Sequence, residues 1–120
     1  MNITYKTLSY TLTPDIQSYT EDKLTSIRKL LAHYDEENIS CDVTMSHDSK
    51  HHSGMIYRAD FTVFAGPERV HGVGHGISMQ AALDAAKDET LRRMRAGKEV
   101  HVRLMRKGGA MIKRLLRRER

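Results

Sequence analysis

The chain contains one cysteine, Cys41, and its apolar runs extend only a few residues. A single thiol excludes an intramolecular disulfide framework, a CxxC redox pair and a multi-cysteine zinc site, and it suits a reducing, cytoplasmic setting. A bilayer-spanning helix takes about 20 consecutive apolar residues, so no membrane span is expected. The start, MNITYKTLSYTL, lacks the basic-then-apolar layout of a signal peptide. Internal repeats and low-complexity linkers are also missing. At 120 residues and 39% hydrophobic content there is enough chain for one core, which excludes a multidomain enzyme.

Acidic residues are scarce at one end. Residues 92–120 hold 12 Lys and Arg against 2 Asp and Glu, a net of +10, whereas residues 1–91 hold 8 against 13, a net of −5. The overall charge of +5 hides this polarity. A basic block joined to an acidic domain points to a polyanion, because each phosphate contact releases condensed counterions. Nucleic acid is the leading partner class and an anionic membrane surface the second. The bland alternative is a solvated amphipathic helix.

Ile3, Tyr5 and Leu8 suit a half-buried first strand with a slip or bulge before Leu8. Thr13, Pro14 and Asp15 form a helix start: a hydroxyl cap, a proline where its missing N–H costs nothing, and an acid at the positive end of the dipole. Ile16, Tyr19, Leu24, Ile27, Leu30, Leu31 and Tyr34 then trace one apolar stripe. Ile39, Cys41, Val43 and Met45 alternate with polar residues, as do Met55, Tyr57, Ala59, Phe61 and Val63, which makes two strands around a polar loop. Gly66 and Pro67 turn the chain into a fourth strand, 69–76, where Gly72 and Gly74 leave room for close approach.

Ser78 caps a second helix with a buried side of Met79, Ala82, Leu83, Ala86, Thr90 and Met94, while Asp88–Arg92 and Glu89–Arg93 form acid-first pairs on its outer side. Gly97 is expected to end it. Beyond, Val100, Val102 and Leu104 alternate as an extended segment, and Gly108 and Gly109 precede a basic helix striped by Met111, Ile112, Leu115 and Leu116. The expectation is an α+β two-layer sandwich, β-α-β-β-β-α, with a four-stranded sheet carrying two helices on one face. Residues 1–97 form this domain and residues 98–120 a basic C-terminal tail.

No catalytic or metal-binding constellation emerges. His71 and His75 stand four apart on a strand, about 13 Å by the strand rise, too far to share an ion. The histidines around the central hairpin, His47, His51 and His52, add at most weak, pH-dependent positive charge. Cys41 alternates with core residues and acts as a small hydrophobe. The carboxylates Asp42, Asp60, Asp84 and Asp88 show no acid–base pairing, and VHGVGHG lacks the GxxxxGK context of a phosphate loop. Neither an enzyme nor a cofactor is expected, and no small-molecule substrate.

Three segments resemble the ribosome hibernation-promoting factor and ribosome-associated inhibitor family: MNIT at the start, LTPDIQSYTEDKL at 12–24, and ISMQAALDAA at 77–86. The second is similar to the family's L-T-P-x-L-x-x-Y-x-x-x-K-L helix entry and the third to its D-M-Y-A-A-I-D helix start. The resemblance spans about residues 1–95, and the end, RKGGAMIKRLLRRER, is similar to the basic tails of some short members. It implies a cytoplasmic protein that binds the small ribosomal subunit in the decoding groove, overlaps the transfer RNA and messenger RNA path, and silences idle ribosomes. Lys23, Lys29 and Arg92 match family positions that meet ribosomal RNA phosphates. There are departures: Glu89 stands where many members have lysine, Gln80 replaces a tyrosine, Ser78 an aspartate, and Thr7-Leu8-Ser9 a Gly-basic-Asn segment.

The RNA-binding set expected from charge and resemblance together is Lys23, Arg28 and Lys29 on the first helix, Lys87, Arg92, Arg93 and Arg95 on the second, and Arg103, Arg106, Lys107, Lys113, Arg114, Arg117 and Arg118 in the tail. The free protein is expected to be a monomer with no membrane partner. Two other classes fit the residues: a double-stranded RNA-binding module with no preference for ribosomes, and a protein–protein regulator whose tail only solubilises it.

Overall fold

The computed structural model describes residues 1–48, 54 and 56–106, with 98–106 described as helical backbone only. The elements follow the order β1 (Asn2–Leu8), α1 (Pro14–Leu30), a 3-10 turn (Glu36–Asn38), β2 (Ile39–His47), β3 (Tyr57–Ala65), β4 (Glu68–Gly76) and α2 (Met79–Arg106). One mixed sheet has the strand order β1-β2-β3-β4, with β1 parallel to β2 and the other neighbours antiparallel. The α+β architecture expected from the periodicities is therefore observed.

The core lies between the sheet and both helices. Ile39, Cys41, Val43 and Met45 of β2 and Ala59, Phe61, Val63 and Ala65 of β3 are all buried, in one cluster with Ile16, Leu24 and Ile27 of α1 and Met79, Ala82, Leu83, Ala86 and Leu91 of α2. Burying a Val, Leu, Ile, Phe or Met side chain contributes about 1.5–3 kcal/mol, so this single face of each element supplies most of the drive to fold. Thr20 and Thr90 are fully buried too. Each donates its hydroxyl to the carbonyl four residues back, Ile16 and Ala86 respectively, at 2.7 Å, so neither leaves an unsatisfied polar atom in the core.

The helix starts behave as expected. Thr13 Oγ1 accepts from the Ile16 amide at 3.3 Å and Ser78 Oγ from the Ala81 amide at 3.1 Å. Alpha2 lies directly on β4: a Cβ at Gly72 would overlap Thr90, and one at Gly74 would overlap the main chain of Ala82 and Ala86. The β3–β4 connection is a two-residue turn, Gly66-Pro67, with Gly66 at φ 58, the sign that tight hairpins require.

Four expectations need correction. The register of β1 on β2 is unbroken from Asn2↔Ser40 to Leu8↔Ser46; there is no bulge, and Leu8 is out of phase because it sits 51% exposed on the outer face. Alpha1 ends at Leu30 with Leu31 as its C-cap, so Tyr34 reaches its place beside Gly66 from the following turn. Third, β3 starts at Tyr57, and Met55 lies outside the described residues.

The fourth concerns Gly97, which does not end α2. The helix continues to Arg106 through the segment read as extended, Val100 to Leu104. Among the described residues only Gly54 and Gly66 are glycines with positive φ, so Gly97 is not a left-handed terminus. A glycine costs about 1 kcal/mol in a helix, and the Arg, Met, Ala, Lys and Glu around it outweigh that. A helix also closes its own hydrogen bonds, whereas the alternation at 100–104 could act only beside a strand to pair with. The 28 residues of α2 span about 42 Å. With Thr90 above Gly72, the helix runs past the Glu68 end of β4 near residue ~99 and overhangs the sheet by roughly 10 Å.

Candidate nucleic-acid interface

The cations nominated for RNA binding fall on α1, α2 and the residues that follow. Lys23 stands in the seam between the helices, 3.3 Å from Asp84 and 4.9 Å above the Tyr19 ring. Tyr19 donates its hydroxyl to both oxygens of Asp84, at 2.8 and 2.9 Å. This clasp ties α1 to α2 and raises the pKa of Tyr19, through the Asp84 hydrogen bond first, and of Lys23 for the same reason. At the end of α1, Arg28 is 3.6 Å from Glu36. Lys29, beside it, has no ion pair among the described residues and lines a surface hollow of about 340 Å³ with Arg28, Tyr34 and Glu36.

On α2 the pairing differs from the expected Asp88–Arg92 link. Asp88 pairs with Lys87 at 3.4 Å, and Glu89 takes both arginines: Arg92 with Nε on Oε2 at 3.0 Å and Nη2 on Oε1 at 2.7 Å, and Arg93 with Nε on Oε1 at 2.7 Å. The glutamate is one methylene longer than Asp88, and three and four residues on are the neighbouring positions on a helix face. The hydrogen bonds from Arg92 and then Arg93 pull the Glu89 pKa down to about 2. Arg93 also donates Nη1 to the His71 carbonyl on β4 at 2.8 Å. Arg95 is exposed, and no ion pair involves it among the described residues.

Arg103 and Arg106 lie on the overhanging end of the α2 backbone. Lys107, Lys113, Arg114, Arg117 and Arg118 lie outside the described residues, as do the Gly108-Gly109 hinge and the basic helix read after it. The structure thus brings Arg92 and Arg93 together on Glu89, holds Lys23 alone in the helix seam, and leaves Lys87 on Asp88. It sets Arg28 and Lys29 apart, at the far end of α1.

The sheet's other face bears a second polar cluster. Asp60 accepts two hydrogen bonds from Arg58, at 2.9 and 3.0 Å, and lies 3.1 Å from His71 Nε2. Burial works against its charge, but Arg58 and His71 outweigh this and hold the carboxyl below its ordinary pKa. Among the described residues no group of three or more His, Cys, Asp or Glu is placed to hold a metal, and no helix is long and apolar enough to cross a membrane. His51 and His52 lie outside the described residues. Cys41 is wholly buried and its thiol is pushed up to about 12 by desolvation, so it is not a nucleophile at neutral pH.

Sequence reasoning did not find the clasp, since Tyr19 and Asp84 are 65 residues apart and neither spacing nor composition links them. The double role of Glu89 was legible in part, from its spacing to Arg92 and Arg93.

Comparison with known proteins agrees with this architecture. The family model described as sigma 54 modulation protein / S30EA ribosomal protein matches residues 1–104. The chain belongs to that family. The match runs through Gly97 into the overhanging part of α2. Two solved structures share the fold of this S30EA-type chain. The N-terminal domain of Protein Y from Thermus thermophilus aligns with TM-score 0.62 and 23% identity, covering 78% of this chain and 96% of that one. A ribosomal subunit interface protein from Coxiella burnetii aligns with TM-score 0.62 and 13% identity, covering 82% and 99%. A comparison with functionally curated proteins gives no match.

Proposed function

We propose that this S30EA-family chain is a cytoplasmic, ribosome-associated hibernation factor and translation inhibitor. It binds ribosomal RNA of the small subunit in the decoding groove and blocks transfer RNA and messenger RNA by occupying their path. The observation that carries this reading is the segregation of charge: a net of +10 in residues 92–120, beginning on the exposed side of α2, in a chain matching the family model over residues 1–104. Family relatives support the partner, one of them being named a ribosomal subunit interface protein.

Such a factor needs no catalytic group. Phosphate contacts position it on the RNA and the width of the two-layer domain excludes other ligands. Lys23, Arg28, Lys87, Arg92 and Arg93 each sit in an intramolecular ion pair. Exposed pairs are worth about 0–1 kcal/mol, so a dense phosphate surface can exchange with their carboxylates. Lys29 and Arg95 meet phosphate without such exchange. The overhanging end of α2 and the tail extend the cationic track.

Co-sedimentation with separated ribosomal subunits tests the reading. The protein should pellet with the small subunit in preference to the large, and its affinity should fall steeply with salt, each phosphate contact adding about 0.7–0.9 to the slope of log K. Equal or exclusive pelleting with the large subunit refutes it, as does a flat salt profile. Binding to naked RNA duplex as tight as to ribosomes would identify a general double-stranded RNA module instead.

A further inference from the structure

We propose that Arg92 and Arg93 form a preassembled phosphodiester site whose seat is held by Glu89, an internal counter-anion that must swing out before phosphate enters and that therefore limits affinity. The inference deepens the ribosome-binding reading and rests on it only for the identity of the polyanion.

Both arginines converge on one carboxylate. Oε1 of Glu89 receives Arg92 Nη2 and Arg93 Nε, each at 2.7 Å, and Oε2 receives Arg92 Nε at 3.0 Å. The cations are the outer groups: the side chains of Arg92 and Arg93 are 67% and 53% exposed, that of Glu89 26%. Arg93 is fixed from behind, since its Nη1 is bound to the His71 carbonyl on β4. A phosphodiester offers two non-bridging oxygens with the forked geometry of a carboxylate, which a guanidinium recognises through two parallel N–H donors. The place now taken by Glu89 is thus shaped for a phosphate, and the anchored Arg93 keeps it shaped when Glu89 leaves.

The displaced carboxylate remains on the same helix turn as the incoming phosphate. An exposed carboxylate is ionised at neutral pH with or without its arginine partners, so the displaced Glu89 repels that phosphate. The cluster is open to water, so screening keeps the penalty modest, and affinity is lowered without being abolished. A protein meant to leave its polyanion again gains a faster release from such a competitor.

The test compares the wild type with E89Q, with D22N as a control that adds the same charge at an exposed position on α1, and with R92Q/R93Q alone and combined with E89Q. Two probes are titrated at about 0.1 M salt: poly(U), which offers phosphates without a ribosome, and purified small subunits. Glutamine keeps the length and helix propensity of glutamate, so the fold should survive, and thermal melts check this. We expect E89Q to bind both probes about two- to fivefold more tightly, D22N to change by less than about twofold, and the gain from E89Q to vanish without the two arginines. If E89Q binds poly(U) no tighter than wild type, gains no more than D22N, or keeps its gain in the R92Q/R93Q background, the inference is overturned. If the expected order holds on poly(U) while small subunits are ignored, the ribosome reading fails and the arginine site stands.

Discussion

Replacing glycine by alanine at two positions should move stability in opposite directions. Gly74 lies in β4 under α2, where a Cβ would overlap the Ala86 amide nitrogen and the Ala82 carbonyl oxygen. Both obstacles belong to the main chain of a hydrogen-bonded helix, so no side-chain rotation relieves them and α2 must lift from the sheet. That loosens Ala82, Leu83, Ala86 and Leu91, all buried. Overpacking typically costs about 1–3 kcal/mol, and main-chain obstacles put G74A at the upper end. At about 4–8 °C per kcal/mol for a domain of this size, a loss of about 3 kcal/mol lowers the thermal midpoint by roughly 12–24 °C. Gly97 has nothing within 4 Å of the same Cβ and lies within α2. G97A should then recover much of the helix penalty of glycine, about 0.8–1 kcal/mol, and raise the midpoint by a few degrees. At a left-handed helix terminus the same change would lower it. Thermal and urea melts followed by circular dichroism measure both. A G74A variant within about 0.5 kcal/mol of wild type would refute the close approach of α2 to β4, and a destabilised G97A would refute the continuity of α2.

The folded pKa of Asp60 is held below its ordinary 3.8, so its stabilising contribution is complete above that value and is lost as pH falls below about 4. D60N should accordingly flatten the acid decline of the thermal midpoint, and an unchanged decline would deny Asp60 this role. Deleting residues 98–120 should keep the melt cooperative and shift its midpoint by only a few degrees, because every buried core residue among those described precedes Gly97, yet weaken binding to small ribosomal subunits and its salt dependence. Loss of cooperative unfolding would place Val100, Val102 and Leu104 in the core, and undiminished affinity would remove the tail from the RNA-binding set.

Much of the candidate interface was visible in the residues alone. The charge polarity between residues 1–91 and 92–120, and the assignment of Lys23, Lys29, Arg92, Arg93 and Arg95 to helices, need only counting and a period of three to four. Which anion each cation meets is a different matter. Asp88 and Glu89 both lie within one helical turn of Arg92, and side-chain length decided for Glu89. Lys23 found its partner on the other helix, a choice made only once the two helices packed against each other.

The order of elements, their inward faces and their caps were determined by the sequence, because periodicity and capping depend on neighbours a few residues away. Ile39 to Met45 must present one side of a strand, and Thr13 with Pro14 must open a helix, whatever the rest of the chain does. Tertiary structure decided the parallel pairing of β1 with β2, the Tyr19–Asp84 clasp and the fate of residues 97–106. The last is the most instructive. Val100, Val102 and Leu104 carry the period of a strand, but that pattern gains free energy only beside another strand and over a core. Among the described residues no strand lies beyond β4 for it to pair with, so local hydrogen bonding takes the chain and α2 runs on.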